Sequence, residues 1–290
     1  MCRWLAYLGS PIWLEDVLVR PNHSLLDQGL LARDLFLPGD PIARQFPRSA
    51  FPTNGDGFGV AWRGRDGRLG QFRQIEPVWD SQNFRHLAAQ ISSGCFLGHV
   101  RAAPGGSIAE QNCHPFVMGG WMFQHNGVVP EFARLRRQLM MEVDPDLFPA
   151  ILGNSDTETL FALALTLGLE SDPVGALRRL IDRVERARRD AAIEAPFEAT
   201  ICASDGERLV TLRWISPDAE APAPTLFSAA GPTMLRTEAG GEDRLPDDAQ
   251  LVVSEPLELH WSPRTWHEIP NATIGVFRRD EEPEFLPIEI

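Results

Sequence analysis

Removal of Met1 would leave Cys2 at the head of this chain, with a free α-amine beside its own thiol. The small side chain at position two permits that trimming. The amine and the thiol ordinarily titrate at roughly 7.7–8.0 and about 8.5. One residue then supplies both a nucleophile and the base that activates it. Further along, Arg101 ends an apolar segment from Cys95 in which His99 and Arg101 alternate onto one face. An arginine there, just ahead of Pro104-Gly105-Gly106, is suited to holding a carboxylate. Asn126-Gly127 offers a side-chain amide and an unobstructed backbone N–H, two donors for a developing oxyanion. Asp156 falls in the first turn of an expected helix, where the dipole favours its charge and lets it hold an ammonium group.

Each pattern also has a plain structural use: a chance cysteine, an ion-paired arginine, a hairpin at Asn-Gly, an acid complementing a helix dipole. Asn54-Gly55-Asp56-Gly57 is a Gly-rich turn ahead of a strand, without the helix that a nucleotide-binding loop requires. Cys95, His99, Cys113, His114 and His125 match no zinc spacing, so neither a metal nor a cofactor is expected.

A net charge of −13 argues against nucleic acid as a partner. All 27 cationic residues are arginine, which excludes Schiff-base chemistry and a P-loop lysine. No apolar run reaches bilayer-spanning length and no secretory signal opens the chain. With four scattered cysteines, the expectation is a cytoplasmic protein with reduced thiols and no membrane partner.

The elements that must position these residues follow from local pattern. Strands are expected at 3–8, 57–62, 69–75, 95–101, 121–125, 198–203, 208–214, 250–254 and 272–278. The pair 198–203 and 208–214 reads as a hairpin closed at Asp205-Gly206. Helices are expected at 24–36, 83–91, 131–142, 157–168 and from Asp172-Pro173 to about 192. Ser155-Asp156-Thr157-Glu158 has the form of a capping box. Two stretches, 216–225 and 237–248, read as surface loops. The sum is one α+β domain over residues 2–290, with two stacked sheets and helices on their outer faces.

Cys2, Gly98-His99-Val100-Arg101-Ala102, Asn112-Cys113-His114-Pro115, His125-Asn126-Gly127 and Ser155-Asp156-Thr157-Glu158 occur in one order. In this the chain resembles a class II glutamine amidotransferase domain over residues 2 to about 170. Val253-Ser254-Glu255-Pro256-Leu257 and Trp266, in the β-rich part 197–290, resemble the end of the stand-alone members. The resemblance implies the N-terminal nucleophile hydrolase fold, a four-layer α/β/β/α sandwich of two antiparallel sheets. It implies Cys2 as nucleophile with its own amine as base, and Asn126 with the Gly127 N–H as oxyanion hole. Arg101 would bind the α-carboxylate of glutamine and Asp156 its α-ammonium. Asn54, Gly55 and Asp56 would support the nucleophile, with His114 in a supporting role as well.

The expected reaction is hydrolysis of the glutamine γ-amide through a thioester on Cys2, releasing ammonia and glutamate. Ala102-Ala103 stand where larger members carry a threonine or tryptophan, so the substrate-side wall is expected to differ. No synthetase domain follows, which points to a separate acceptor subunit or to another γ-glutamyl substrate. The γ-glutamyl hydrolases of ergothioneine synthesis are the nearest alternative, although they typically carry Ala where this chain has His114. A non-catalytic glutamine- or partner-binding protein is the alternative from another class.

Overall fold

The computed structural model describes residues 2–32, 53–103 and 107–289. The expected Gly105-Gly106 loop, the end of the expected helix at 24–36, and Met1 lie outside the described residues. Period-two alternation in the first strand, Arg3–Trp13, sends Trp4, Ala6 and Leu8 to one face and Leu5 and Tyr7 to the other, all buried. A strand buried on both faces belongs in the middle of a sheet. It pairs antiparallel with Gln250–Val253 on one side and Ser92–Val100 on the other. The full sheet has seven strands, with Phe227–Ala230 and His267–Glu268 beyond the former and Phe58–Arg63 and Leu69–Gln74 beyond the latter.

The second sheet has six strands in the order Glu284–Pro287, Thr273–Arg278, Arg208–Ile215, Glu198–Ser204, Trp121–Val128, Phe116–Met118. Its neighbouring strands are antiparallel, and Glu198–Ser204 and Arg208–Ile215 form the expected hairpin. Trp4, Ala6, Leu8 and Leu97 of the first sheet meet Met122, Cys202 and Leu209 of the second in a core between the sheets. The outer face of the first sheet buries Leu5, Tyr7 and Phe96 against Val17, Leu18, Leu25 and Phe84 from helices Glu15–Leu18, Leu25–Leu30 and Gln82–Ala88. The outer face of the second buries Phe123 and Ile201 against helices Phe132–Met140, Asp156–Thr166 and Pro173–Asp190. Three apolar layers between four structural ones make the α/β/β/α sandwich.

Several boundaries differ from the sequence expectation. The first strand runs on past residue 8 because a bulge between Leu8 and Ile12 absorbs Gly9-Ser10-Pro11. The helix capped by Ser24 stops at Leu30. Within the expected loop 237–248, Glu242–Arg244 pairs with Met234–Arg236. Such short, mostly exposed strands are held by backbone pairing and show no hydrophobic alternation. The expected capping box at Ser155 is half made. Ser155 Oγ accepts from the Glu158 N–H at 3.2 Å, but Glu158 turns to the N–H groups of Leu152 and Gly153.

Buried polar contacts tie the sheets together through the apolar layer. Trp4 Nε1 donates to Thr200 Oγ1 at 3.0 Å, and Thr200 Oγ1 donates to the Asn126 carbonyl at 3.2 Å. Gln124 Nε2 donates to the Leu5 carbonyl at 3.0 Å. Trp4→Phe removes one of these donors from a fully buried position and is expected to cost about 1–3 kcal/mol. The shift in urea midpoint checks it.

Candidate active site

Cys2, Arg101, His114, Asn126, Gly127 and Asp156 line one cleft of about 540 Å³ at the edge of the two sheets. Asn54, Gly55 and Asp56 do not line it. The buried Asn54 donates through Nδ2 to the Gln28 carbonyl at 3.0 Å. Asp56 accepts the Ala103 N–H at 2.7 Å, while its own N–H bonds the Arg101 carbonyl at 2.9 Å. The turn therefore braces residues 101–103 from behind. Gly57 requires glycine: its φ is +116°, and a Cβ would stand 2.6 Å from Cys113 Sγ.

Cys2 precedes the first ladder pair, Arg3 with Val100, and its Sγ lies 3.3 Å from the Ala102 nitrogen. It is partly exposed to the cleft, whereas Cys95, Cys113 and Cys202 are buried. Desolvation pushes the Cys2 thiol up, against the opposing effects of the Ala102 N–H and Arg101. The resting group is thus a thiol, and attack needs a base within reach.

Arg101 follows directly on the strand Ser92–Val100. Four arginines are buried among the described residues: Arg3, Arg101, Arg188 and Arg213. Arg3 is paired with Glu255, Arg188 with Glu185 and Asp218, and Arg213 with Glu268. Arg101 has no carboxylate partner among the described residues; its Nη1 reaches only the Asp56 carbonyl, at 3.5 Å. A buried guanidinium without a counter-charge is costly, and the cleft is where its partner would enter.

Asp156 opens the helix Asp156–Thr166 and accepts the N–H groups of Val129 at 3.0 Å and Thr157 at 2.8 Å. It has no cation partner among the described residues. The cleft thus holds an unmatched positive group and an unmatched negative group. Asn126 is buried, and its side-chain amide makes no hydrogen bond among the described residues. Gly127 has φ +152°, and a Cβ there would lie 1.9 Å from the Glu198 carbonyl oxygen, so no other residue fits.

Three buried histidines hold this arrangement. His125 Nε2 lies 3.3 Å from the Glu198 carbonyl and its Nδ1 3.0 Å from Thr157 Oγ1. His99 Nε2 lies 3.2 Å from the His125 carbonyl and 2.8 Å from His114 Nδ1. A carbonyl only accepts, which assigns the protons of His125 and His99 to Nε2. The single His99 Nε2 proton is shared between the His125 carbonyl and His114 Nδ1, which accepts, and Thr157 donates to His125 Nδ1. The chain of contacts joins the strand that leads to Arg101, the strand carrying Asn126 and the helix start carrying Asp156. The sequence assigns His99 and His125 no role beyond their place in the motifs, and it does not single out Thr157 and Asn154, which also line the cleft. Asn154 is fixed by a reciprocal pair with Asn112, at 2.7 and 2.9 Å. Asn112, inside the quoted motif, was the available signal for it.

The comparisons with known proteins bear on this site. The sequence profile of the family described as glutamine amidotransferases class-II matches residues 46–221. The chain is 32% identical to the probable glutamine amidotransferase DUG3 of Saccharomyces cerevisiae, over 96% of this chain and 82% of that one. The chain belongs to the class II glutamine amidotransferases. It is also 30% identical to a gamma-glutamyl-hercynylcysteine sulfoxide hydrolase of Mycolicibacterium smegmatis, over 62% of this chain and 74% of that one. Among solved structures, a glutamine aminotransferase class-II domain protein from Silicibacter pomeroyi superposes over the full length of both chains, with TM-score 0.66 and 28% identity. The fold is that of the family, and the chain is an enzyme of the glutamine amidotransferase type.

Desolvation takes His99 down to about 3 and His114 well below its usual value. His125 is lowered by burial against the pull of Asp156. The unfolded chain binds a proton at His99 below about 6.5 that the folded chain refuses. Stability is therefore lost as pH falls from about 6.5 toward 3. Ring-nitrogen NMR at about pH 5 is expected to report neutral His99 and His114, protonated on Nε2 alone.

Proposed function

We propose that this protein hydrolyses γ-glutamyl amides, glutamine foremost, through Cys2 as an N-terminal nucleophile. The observation that carries the reading is the pair of unmatched charges. Arg101 is the one buried arginine without a carboxylate among the described residues, and it shares a cleft with Asp156, which lacks a cation. An α-amino acid head carries the complement of each. Arg101 takes the α-carboxylate and Asp156 the α-ammonium, and the side chain of the substrate then extends toward Cys2.

With Met1 removed, the α-amine of Cys2 accepts the thiol proton as Sγ attacks the γ-carbonyl carbon. The carbonyl oxygen becomes an oxyanion, held by Asn126 Nδ2 and the Gly127 N–H. Two such donors are worth a few kcal/mol each in a site of this kind. Collapse of the tetrahedral intermediate breaks the C–N bond, and the α-ammonium returns its proton to the departing ammonia. Water, deprotonated by the same amine, cleaves the γ-glutamyl thioester to glutamate and the free thiol. The elevated thiol pKa agrees with this scheme, since it makes the adjacent base necessary.

A second reading has an observation in its favour. The cleft also runs past Val128 and Phe132, apolar side chains suited to a substituent on the γ-nitrogen. On that reading the substrate is a larger γ-glutamyl compound, in line with the hydrolase relative.

Ammonia release from glutamine, compared with amine release from a panel of γ-glutamyl amides, separates the two. Cys2→Ala is expected to abolish turnover of either. Arg101→Ala is expected to raise KM for glutamine by about 10- to 100-fold, the loss of one charge-assisted contact of roughly 1.5–3 kcal/mol. Unchanged KM in that variant would remove the carboxylate clamp.

A further inference from the structure

Cys2 stands one residue outside the ladder that begins at Arg3, and a terminal residue beyond its last ladder bond frays unless something else holds it. Here the Cys2 carbonyl accepts a hydrogen bond from Arg3 Nη1 at 2.9 Å. The guanidinium that donates it is itself immobile. Its Nε is paired with the carboxylate of Glu255, and both side chains are almost wholly buried. The second carboxylate oxygen of Glu255 meets His23 Nε2 at 3.0 Å. Gln28 Nε2 ties the backbone carbonyls of His23 and Glu255 together, at 3.1 and 3.3 Å. Ser254 carries the pairing of the first strand one step further. Its N–H bonds the Trp4 carbonyl at 2.9 Å, and its Oγ accepts the Trp4 N–H at 3.0 Å.

A buried ion pair of this kind contributes little net stability, because desolvation offsets the attraction and apolar residues of similar volume often serve as well. Its particular product here is a rigid guanidinium against the main chain of the nucleophile. Both partners lie outside the residues 46–221 that the family profile matches.

We propose that Glu255 is a positioning residue for the reaction, acting through Arg3 to hold the Cys2 main chain so that Sγ stays at the Ala102 edge of the cleft. The proposal rests on the reading of Cys2 as the nucleophile. Arg3 grips the peptide group of Cys2, Glu255 fixes Arg3, and His23 and Gln28 fix Glu255. The β-rich C-terminal part of the chain thereby enters the reaction, although it contributes nothing to the amino-acid-binding wall. Substrate binding uses Arg101 and Asp156, which none of these contacts touch. The effect belongs in turnover and spares affinity.

The test is Glu255→Gln, which retains the size of the side chain and one acceptor for His23, together with Arg3→Lys, which retains the charge and loses the fork. Intact mass establishes that Met1 has been removed, and circular dichroism that each variant is folded. Kinetics use L-glutamine, or whichever γ-glutamyl amide the wild type turns over. Both variants are expected to lose about 10- to 100-fold in kcat with KM within about twofold, the signature of a misplaced nucleophile over an intact binding wall. Alkylation of Cys2 by iodoacetamide, which needs no substrate site, is expected to become faster as the terminus loosens. If Glu255→Gln fails to fold, Arg3→Lys decides alone. Wild-type kcat and alkylation rate in a folded variant, or a rise in KM at unchanged kcat, would overturn the inference. Undiminished activity in Cys2→Ala would instead overturn the nucleophile reading on which it rests.

Discussion

The site depends on the register between two sheets, which buried side chains fix by hydrogen bonds across the core between them. Trp4 Nε1 reaches across the inter-sheet core to Thr200 Oγ1, and that hydroxyl passes its own proton to the carbonyl of Asn126. Two residues from Trp4 along one strand stands Cys2, and Asn126 is on the facing sheet. The proposed nucleophile and the proposed oxyanion donors thus come from different sheets, joined by a relay of two hydrogen bonds inside an apolar layer. Gln124, which donates to the Leu5 carbonyl, repeats the tie one step deeper. Polar groups buried there are held to a single arrangement, because any slip would leave them unpaired.

Around that frame the protein treats charge selectively. Of the four arginines buried among the described residues, three are given carboxylates and Arg101 is left without one. The three neighbouring histidines are kept neutral by burial, so they orient backbone and hydroxyl groups without adding positive charge to the cleft. Arg101 and Asp156 therefore dominate the field of the cleft they line. The thiol, pushed up by the same burial, stays protonated until a base acts on it.

Much of this was legible in the sequence because the pieces are local. Asn126-Gly127, the Asp156 helix start and the Gly-rich turn at 54–57 each carry their own signature, and the amphipathic helix Pro173–Asp190 announces both its start and its buried face. What escaped is non-local or patternless. Short edge strands such as Phe116–Met118 and Glu284–Pro287 are too brief for periodicity and owe their form to a neighbour. The first strand was expected to end at Leu8, and only pairing with its partner strand, through a bulge, carries it on to Trp13. Arg3 and Glu255 are 252 positions apart, and no spacing rule joins them. Asp56 was expected to support the nucleophile, and its bond to the Ala103 N–H is a contact that only the fold supplies.

The central claim is that Cys2, freed of Met1, is the reacting thiol. Peptide mapping after treatment with the glutamine-mimicking diazo-ketone 6-diazo-5-oxo-norleucine tests it most directly. The account predicts a single adduct on a Cys2 that carries a free α-amine. Retention of Met1 throughout the sample, or an adduct on Cys95, Cys113 or Cys202 instead, would contradict it.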